Sequence, residues 1–279
     1  MADGTLAIIG CGTMGEAILA GLLNTGASTP AQLVATVRRS EPAERLRERY
    51  GITVLHDNAE ACAQADVIVV AVKPQFMAEL LDDDRMRAAT AGKLLISIAA
   101  GVRLAAIGAW LPETVLVRAM PNTPCLVSRG MTVLAAGPRA GAEHLAIARG
   151  IFSAVGRVIE LEDKHMDAVT GLNGSGPAFA YVMLEALADG GVMMGLRRDV
   201  ALEIAAQVFL GAATMVLDTR LHPAALKDQV TTPAGSTIAG LLIMEDGRIR
   251  SVLARTIQEA TKVAASLGGA PDERGSRSH

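Results

Sequence analysis

The feature that most restricts the fold is a short apolar run followed at once by three spaced glycines. Leu6–Ile9 is apolar throughout, and the next six residues are Gly10, Cys11, Gly12, Thr13, Met14 and Gly15. The run is typical of a buried parallel strand, and residues 14–23 continue with helical spacing. A G-x-G-x-x-G turn between a strand and a helix is typical of a Rossmann-type unit. We therefore expect dinucleotide binding here rather than a purely structural turn.

The remainder of the first half repeats this alternation of strand and helix. Segments 41–49 and 139–152 have helical character, and further strands are predicted at Leu33–Val37, Ile52–Val54, Val67–Val72, Leu94–Ile98, Val115–Val117, Met131–Leu134 and Arg157–Ile159. Alternating strands and helices predict an α/β fold with a parallel sheet that is covered on both faces.

The end of the second predicted strand bears on the choice of dinucleotide. An NAD site usually has Asp or Glu here to bind the ribose 2′-hydroxyl. This chain has Arg38, Arg39 and Ser40 instead, and two guanidinium groups with a hydroxyl suit a 2′-phosphate. We therefore favour NADPH. NADH is the alternative, because paired arginines are also common at an exposed helix start and because Glu41 follows them.

Two more strand ends are expected to line the cofactor, because ligands of open parallel sheets bind beyond the carboxyl ends of the strands. The first of these loops contains Ala71, Val72, Lys73 and Pro74, and the second contains Ile98, Ala99 and Ala100. The small residues of the second loop leave room for a flat nicotinamide ring. The stiff loop 118–124 ends the next strand, and its spacing alone assigns it no role.

The second half is predicted to be helical, over residues 165–195 with an interruption at Gly174–Pro177, and over 199–218, 223–230 and 248–267. We expect three parts: an NADP-binding Rossmann-type domain at 1–162, an all-α dimerisation and substrate domain at 163–268, and a flexible tail at 269–279. The chain is 51% apolar but only 3% aromatic, so the helical half alone would form a thin core. Surplus apolar surface favours a homodimer through this domain over a self-sufficient small bundle.

Composition and charge argue against several other classes of protein. The net charge is −3, which gives no reason to expect nucleic-acid binding. The best apolar runs are shorter than the roughly 20 residues of a membrane span, and the stretch from Phe179 contains Glu185 and Asp189. The three cysteines and five histidines are scattered, so neither a metal site nor a disulfide scaffold is expected. We expect a soluble, cytoplasmic chain with neither a membrane nor a nucleic-acid partner.

Two polar segments of the helical half are candidates for binding a small-molecule substrate. In the first, Thr170 and Asn173 lie among glycines whose alternative role is close helix packing. The second, 228–238, carries Thr232, Gly235, Ser236 and Thr237 at the start of a helix. Its hydroxyls and backbone N–H groups suit a carboxylate, and simple N-capping by Ser236 or Thr232 is the alternative.

Four segments, in their order and spacing, resemble those of the pyrroline-5-carboxylate reductase family: Val72–Gln75, Met120–Pro124, Gly171–Ala178 and Asp228–Thr237. The resemblance extends from about Leu6 to Leu267. The more usual family form has Ser at position 173 and Gly at position 234, where this chain has Asn173 and Ala234.

The resemblance implies hydride transfer from NADPH to the imine carbon of 1-pyrroline-5-carboxylate, which gives L-proline in the last step of proline biosynthesis. It implies that Thr170 is the catalytic residue that bonds the ring nitrogen, and that Ser236, Thr237 and the backbone near Gly235 hold the carboxylate. Cofactor contacts are implied for Asn58 and Gln229. It also implies an interlocked dimer, with larger rings of dimers in some members.

Three alternatives remain at this point. A β-hydroxyacid dehydrogenase would have a catalytic Lys four residues before an Asn, whereas Val169 stands four residues before Asn173. A reductase of another imine or a keto group on the same scaffold is the second alternative. A silent NADP-binding sensor is the third, although it would be expected to lose the loop at 228–237.

Overall fold

The computed structural model describes residues 4–267, so the predicted tail at 269–279 lies outside the described residues. Its sheet contains eight strands in the order β3-β2-β1-β4-β5-β6-β7-β8. Their bounds are β1 Leu6–Ile9, β2 Leu33–Thr36, β3 Thr53–Leu55, β4 Val67–Val70, β5 Leu94–Ser97, β6 Val115–Met120, β7 Gly130–Ala136 and β8 Gly156–Glu160.

The sheet departs from the predicted all-parallel arrangement at one pair of strands. β6 and β7 are antiparallel, with Met120 opposite Val133, and the other pairs are parallel. The short connection from Met120 to Gly130 contains only a 3₁₀ turn, Thr123–Val127, and a parallel return needs a crossover of a dozen or more residues. The apolar runs of the sequence identify these strands but do not encode their direction.

The first half of the chain supplies helices for both faces of this sheet. They are α1 Thr13–Asn24, α2 Ser40–Tyr50, α3 Asn58–Ala63, α4 Met77–Leu81, α5 Asp84–Thr90, α6 Leu104–Trp110 and α7 Ala142–Ser153. Alternate residues of each strand face opposite sides. Ile8 and Val69 belong to one buried cluster, whereas Ile9 and Ile68 belong to the other. The predicted sheet with two covered faces is therefore confirmed.

The rest of the chain is helical: α8 Met166–Val169, a π-helical turn Thr170–Gly174, α9 Gly176–Met193, α10 Arg198–Thr219, α11 Pro223–Gln229, α12 Ser236–Asp246 and α13 Ile249–Leu267. Two compact units result. Among the described residues, the sheet unit comprises 4–175 and 259–267, and the helical unit comprises Gly176–Gln258.

The helical unit leaves large apolar side chains exposed, among them Tyr181, Val208, Leu242 and Ile243. In the described part of the chain, α10 is the one helix that is long and apolar enough to cross a membrane, judged by length and composition alone, and 11% of the relevant window is buried.

Candidate functional site

The glycine turn at the end of β1 has the geometry that its sequence predicts. Gly10 has a φ of +74°, and a Cβ atom there would lie 2.5 Å from Cγ1 of Val72. A Cβ atom at Gly15 would lie 3.1 Å from Cγ2 of Ile8, so this glycine lets α1 pack closely on β1. Position 10 therefore needs glycine for its backbone and its neighbour, and close packing favours glycine at position 15.

The N-terminus of α1 is open to an anion. Gly12 is the N-cap residue, and no side chain of the described residues caps the helix there. A Cβ atom at Gly12 would find its nearest neighbour at 3.9 Å, so space remains above the backbone. Exposed N–H groups and the positive end of the helix dipole fit a pyrophosphate. The turn therefore fits a dinucleotide on structural grounds.

Thr36 at the end of β2 holds this turn in place, and sequence reasoning had missed it. The backbone N–H of Gly10 donates to Oγ1 of Thr36 at 2.9 Å, and the N–H of Cys11 donates to the Thr36 carbonyl at 2.7 Å. The hydroxyl and the carbonyl of one buried residue thus fix two consecutive N–H groups. No pattern in the sequence marks Thr36 for this role, because it reads as an ordinary strand residue.

Most of the predicted cofactor residues line two adjoining clefts at the carboxyl ends of the strands. A cleft of about 780 Å³ is lined by Gly10, Cys11, Gly12, Thr13, Arg38, Arg39, Ala71, Val72 and Lys73. A neighbouring cleft of about 570 Å³ contains Asn58 beside His56 and Asp57. The guanidinium of Arg38 lies 4.1 Å from the ring centroid of Phe76, and these two residues line both clefts. Phe76 was not predicted, since an isolated aromatic carries no motif.

The other predicted cofactor residues in the sheet unit are placed around these clefts without lining either one. Met14 and Gly15 lie in the first turn of α1, Ser40 begins α2, and Pro74 begins a 3₁₀ turn. Ile98, Ala99 and Ala100 follow β5, and the N–H of Ile98 donates to the carbonyl of Val70 at 3.1 Å.

Two titratable groups beside the glycine turn have shifted pKa values. Burial, followed by the nearby Glu16 carboxylate, raises the pKa of the Cys11 thiol to about 12. Cys11 is therefore a neutral packing group at neutral pH and not a nucleophile. Hydrogen bonding from Arg45 lowers the pKa of Glu16 below its usual range, and the shortest contact is 2.6 Å between Arg45 Nη2 and Glu16 Oε2.

Thr170 is the first residue of the π-helical turn in the sheet unit. The residue is 7% exposed, and its hydroxyl donates to the carbonyl of Met166 at 2.8 Å. Its own carbonyl accepts from the N–H of Ser175 at 3.1 Å. π-turns inside helices are frequent at functional sites, and this one replaces the interruption that was predicted at Gly174–Pro177.

The side chain of Asn173, the other predicted candidate of this segment, is hydrogen-bonded to the sheet and to the loop that follows β6. Its Nδ2 donates to the carbonyls of Met120 and Met131 at 2.8 and 3.0 Å, and its Oδ1 accepts from Nδ2 of Asn122 at 2.9 Å. The loop 118–124, to which spacing had assigned no role, thus supports the turn that carries Thr170.

The predicted substrate loop lies in the helical unit and leads into α12. Gly235 is the N-cap of α12, and neither Ser236 nor any other side chain of the described residues caps it. The alternative of simple N-capping by Ser236 or Thr232 is therefore wrong. A Cβ atom at Gly235 would lie 2.4 Å from Oγ1 of Thr232. Thr237 is in the first turn of α12, and Gln229 ends α11 and is exposed.

Ala234 has a φ of +57°, a left-handed conformation that favours glycine. This explains why the more usual family form has glycine at this position. Over residues 4–267, no group of three His, Cys, Asp or Glu side chains is arranged to hold a metal ion.

Comparisons with known proteins agree with this geometry over almost the whole chain. The family description "pyrroline-5-carboxylate reductase dimerisation" matches residues 163–267, and "NADP oxidoreductase coenzyme F420-dependent" matches residues 5–101. A pyrroline-5-carboxylate reductase from Synechocystis is 43% identical over 267 residues, covering 94% of this chain and 98% of that protein. The chain belongs to the pyrroline-5-carboxylate reductase family.

Solved structures of the family have the same fold. The reductase of Coxiella burnetii has a TM-score of 0.89 at 31% identity and covers 96% of this chain and 99% of its own. The Plasmodium falciparum enzyme, solved with NADP bound, has a TM-score of 0.86 at 27% identity and covers 96% and 100%. The predicted family, the Rossmann-type fold with a helical dimerisation domain, and the class of NAD(P)-dependent oxidoreductase are thereby confirmed.

Proposed function

We propose that this chain reduces 1-pyrroline-5-carboxylate to L-proline with NADPH, the last step of proline biosynthesis. The observation that carries the proposal is identity of about 40% with reductases of that name over nearly the full chain, 43% to the Synechocystis enzyme and 40% to that of Schizosaccharomyces pombe. A β-hydroxyacid dehydrogenase or a silent sensor has no such support.

The cofactor, when bound, supplies the hydride. The N-terminus of α1 at Thr13 would hold its pyrophosphate, because no side chain caps this turn and the space above Gly12 is open. Arg38, Arg39 and Ser40 would hold a 2′-phosphate, and the sequence offers no carboxylate at the end of β2 for a 2′-hydroxyl. We therefore propose NADPH in preference to NADH. The remaining predicted contacts, from Asn58 to Gln229, stay part of this proposal.

Thr170 is proposed as the catalytic residue that contacts the ring nitrogen of the substrate. Its hydroxyl proton is already donated to the Met166 carbonyl, so the oxygen presents lone pairs rather than a proton. The imine is most electrophilic when its nitrogen is protonated, and an N–H⁺ group needs an acceptor. Thr170 thus acts as a hydrogen-bond acceptor that orients and stabilises the protonated imine.

The substrate carboxylate is assigned to the start of α12. Ser236 and Thr237 lie in the first turn after the N-cap Gly235, which leaves N–H groups and hydroxyls for an anion. Thr232 stands close to Gly235 and extends this polar loop. A carboxylate at this point would distinguish the substrate from simple cyclic imines.

The assembly that we propose is a homodimer through residues 163–268, with residues 1–162 as the NADP-binding domain and rings of dimers as the larger form. The exposed apolar side chains of the helical unit support this, because the matching family domain is one for dimerisation. A second copy of the chain, and not a membrane, would cover α10. We place the enzyme in the cytoplasm, where NADPH and a soluble substrate are available.

The direct test is NADPH oxidation, followed by its absorbance, with 1-pyrroline-5-carboxylate as substrate. We expect kcat/KM to be higher with NADPH than with NADH, and higher than with a cyclic imine that lacks the carboxylate. Equal turnover of the imine without a carboxylate would contradict the assigned role of the α12 loop.

Replacement of Thr170 tests the catalytic role. Thr170→Ala removes one hydrogen bond to a charged group, which is equivalent to about 1.5–3 kcal/mol, so kcat should fall by roughly 10- to 100-fold. NADPH affinity should stay unchanged, and Thr170→Ser should retain most of the activity. Thr90→Ala is the matched control, because Thr90 of α5 is buried, as Thr170 is, and its hydroxyl makes the same bond to the carbonyl four residues earlier, at 2.9 Å. Unchanged turnover of Thr170→Ala would contradict the assignment.

A further inference from the structure

Two asparagines join the π-helical turn Thr170–Gly174 to the sheet. Four hydrogen bonds of 2.8–3.0 Å make this connection. Asn122 Nδ2 donates to Asn173 Oδ1, and Met131 N–H donates to Asn122 Oδ1. Asn173 Nδ2 donates to the carbonyls of Met120 and Met131. We infer that this Asn122–Asn173 pair is a positioning device that holds the Thr170 hydroxyl in place for the reaction, an inference that rests on the function proposed above.

The hydrogen-bonding groups leave only one orientation for each amide. A backbone N–H can only donate, so the atom of Asn122 that faces Met131 N–H is its oxygen. Carbonyls can only accept, so the atom of Asn173 that faces Met120 and Met131 is its nitrogen. Both protons of the Asn173 amide are then used, and its oxygen accepts from Asn122. A pair with one permitted arrangement fixes the position of the turn as well as its contact with the sheet.

The turn is also held at close range on its other sides. A Cβ atom at Gly174 would lie 2.6 Å from Cε of Met120, so the end of the turn lies against the end of β6. Before the turn, Arg118 of β6 contacts Asp163 at 3.1 Å and Asp167 at 3.6 Å. Thr170 therefore lies between two attachments to the same strand, one of charged groups and one of amides.

The amide at position 173 is suited to this task in a way that smaller polar groups are not. Serine, the more usual residue at this position in the family, has one hydroxyl proton and a shorter side chain. It can replace at most one of the two bonds to Met120 and Met131. Aspartate has the shape of asparagine but carries oxygens where the two carbonyls require donors, so it opposes the contact while adding almost no bulk.

The test is a double-mutant cycle between Asn173→Asp and Thr170→Ala, with kcat and the KM for each substrate measured for all four proteins. We expect Asn173→Asp to lower kcat by roughly 10-fold, with the KM for NADPH changed less than about 2-fold. In the Thr170→Ala protein the same substitution should lower kcat by less than about 2-fold, because the group that it positions is gone. Asn122→Ala should follow the same pattern with a smaller effect.

The control for the added negative charge is Gln32→Glu. Gln32 accepts hydrogen bonds from Thr29 through Oε1, which a carboxylate also does, and it lies just before β2, at the opposite end of the strand from the site. Thermal unfolding of each variant identifies any protein that fails to fold, and in that case Asn173→Ser takes the place of Asn173→Asp in the cycle.

The outcomes separate the two proposals. Equal fold-reductions by Asn173→Asp with and without Thr170 would overturn the positioning role while leaving the catalytic role of Thr170 intact, as would an unchanged kcat for Asn173→Asp. An unchanged kcat for Thr170→Ala would overturn the catalytic role itself, and the positioning role with it.

Discussion

The sheet unit and the helical unit treat their apolar side chains in opposite ways. The sheet unit buries most of its large apolar side chains, and Ile8, Ile68 and Phe152 are 0% exposed. Within Gly176–Gln258 the buried apolar residues are three alanines, Ala188, Ala201 and Ala205. Large apolar residues of the same unit remain exposed, with Met193 at 86% and Ile243 at 70%.

This difference shows that the apolar excess of the sequence has two separate causes. In the sheet unit the excess completes a core within one chain, because strands covered on both faces need continuous apolar runs. In the helical unit it forms surfaces that a single chain does not cover, as expected for the dimerisation domain that the family match identifies. Folding of the first unit and assembly of the second should therefore respond differently to the same substitution.

The largest expected effect on stability comes from replacing a buried isoleucine of the sheet unit with alanine, and the same replacement in the helical unit is its comparison. Ile68→Ala should lower the free energy of unfolding by about 2–5 kcal/mol, because a fully buried side chain leaves a cavity, and the loss should be the same at every protein concentration. Ile243→Ala should act on the dissociation constant of the dimer, so its effect on unfolding should depend on protein concentration. Denaturant unfolding at two concentrations, with sedimentation velocity, measures both. A loss of stability for Ile243→Ala that does not depend on protein concentration would contradict the proposed difference between the two units.

A smaller effect is expected at Arg118, which among the described residues is the one charged side chain that is buried, at 2% exposed. Arg118→Ala leaves Asp163 and Asp167 without their buried partner. Since these carboxylates are partly exposed, at 29% and 17%, the cost should be about 2–3 kcal/mol, below the range for a fully buried pair.

The control is Arg103→Ala, since Arg103 contacts Asp167 at 3.3 Å from a position that is 62% exposed. It should cost at most about 1 kcal/mol. Chemical denaturation measures both variants, and an equal cost for the two would mean that burial of the charge contributes nothing.

The sequence predicted the buried strands of the sheet unit better than the direction of β7 and the short helices. β1, β4 and β5 were found because parallel strands that are buried on both faces read as unbroken apolar runs. The antiparallel direction of β7 was missed, since an apolar run has the same composition in either direction. The short helices α4 and α6 have too few turns to show a periodic pattern.

The candidate site was predicted where a motif records a backbone requirement. Gly10 and Gly15 can be recognised in the sequence because a positive φ or a close contact favours glycine. Thr36 and Asn122 do not, because each acts through hydrogen bonds to residues distant in the chain, 26 positions away for Thr36 and 51 for Asn122. Spacing in the sequence does not show which strand ends meet in space.

The smallest expected effect concerns the surface of the sheet unit, where Glu16 of α1 joins Arg45, Arg49 and Tyr50 of α2. Hydrogen bonding from Arg45 lowers the pKa of Glu16 in the folded chain, so the unfolded chain takes up the proton at a higher pH. The contact therefore stabilises the fold at neutral pH, and this stabilisation is lost as the pH falls from about 4.5 through the lowered pKa.

Glu16→Gln should cost about 0.5–1 kcal/mol at pH 7, since Arg45 and Arg49 are half-exposed or more. The difference from the unsubstituted chain should shrink below about pH 4.5. Glu259→Gln is the control, because Glu259 is 69% exposed and contacts Lys262 at 3.2 Å. Urea unfolding between pH 3 and pH 7 measures both, and a difference that grows as the pH falls would contradict the direction of the pKa shift. Because Glu16 acts within one chain, its effect, like that of Ile68, should not depend on protein concentration, which extends the contrast with the helical unit from the core to the surface.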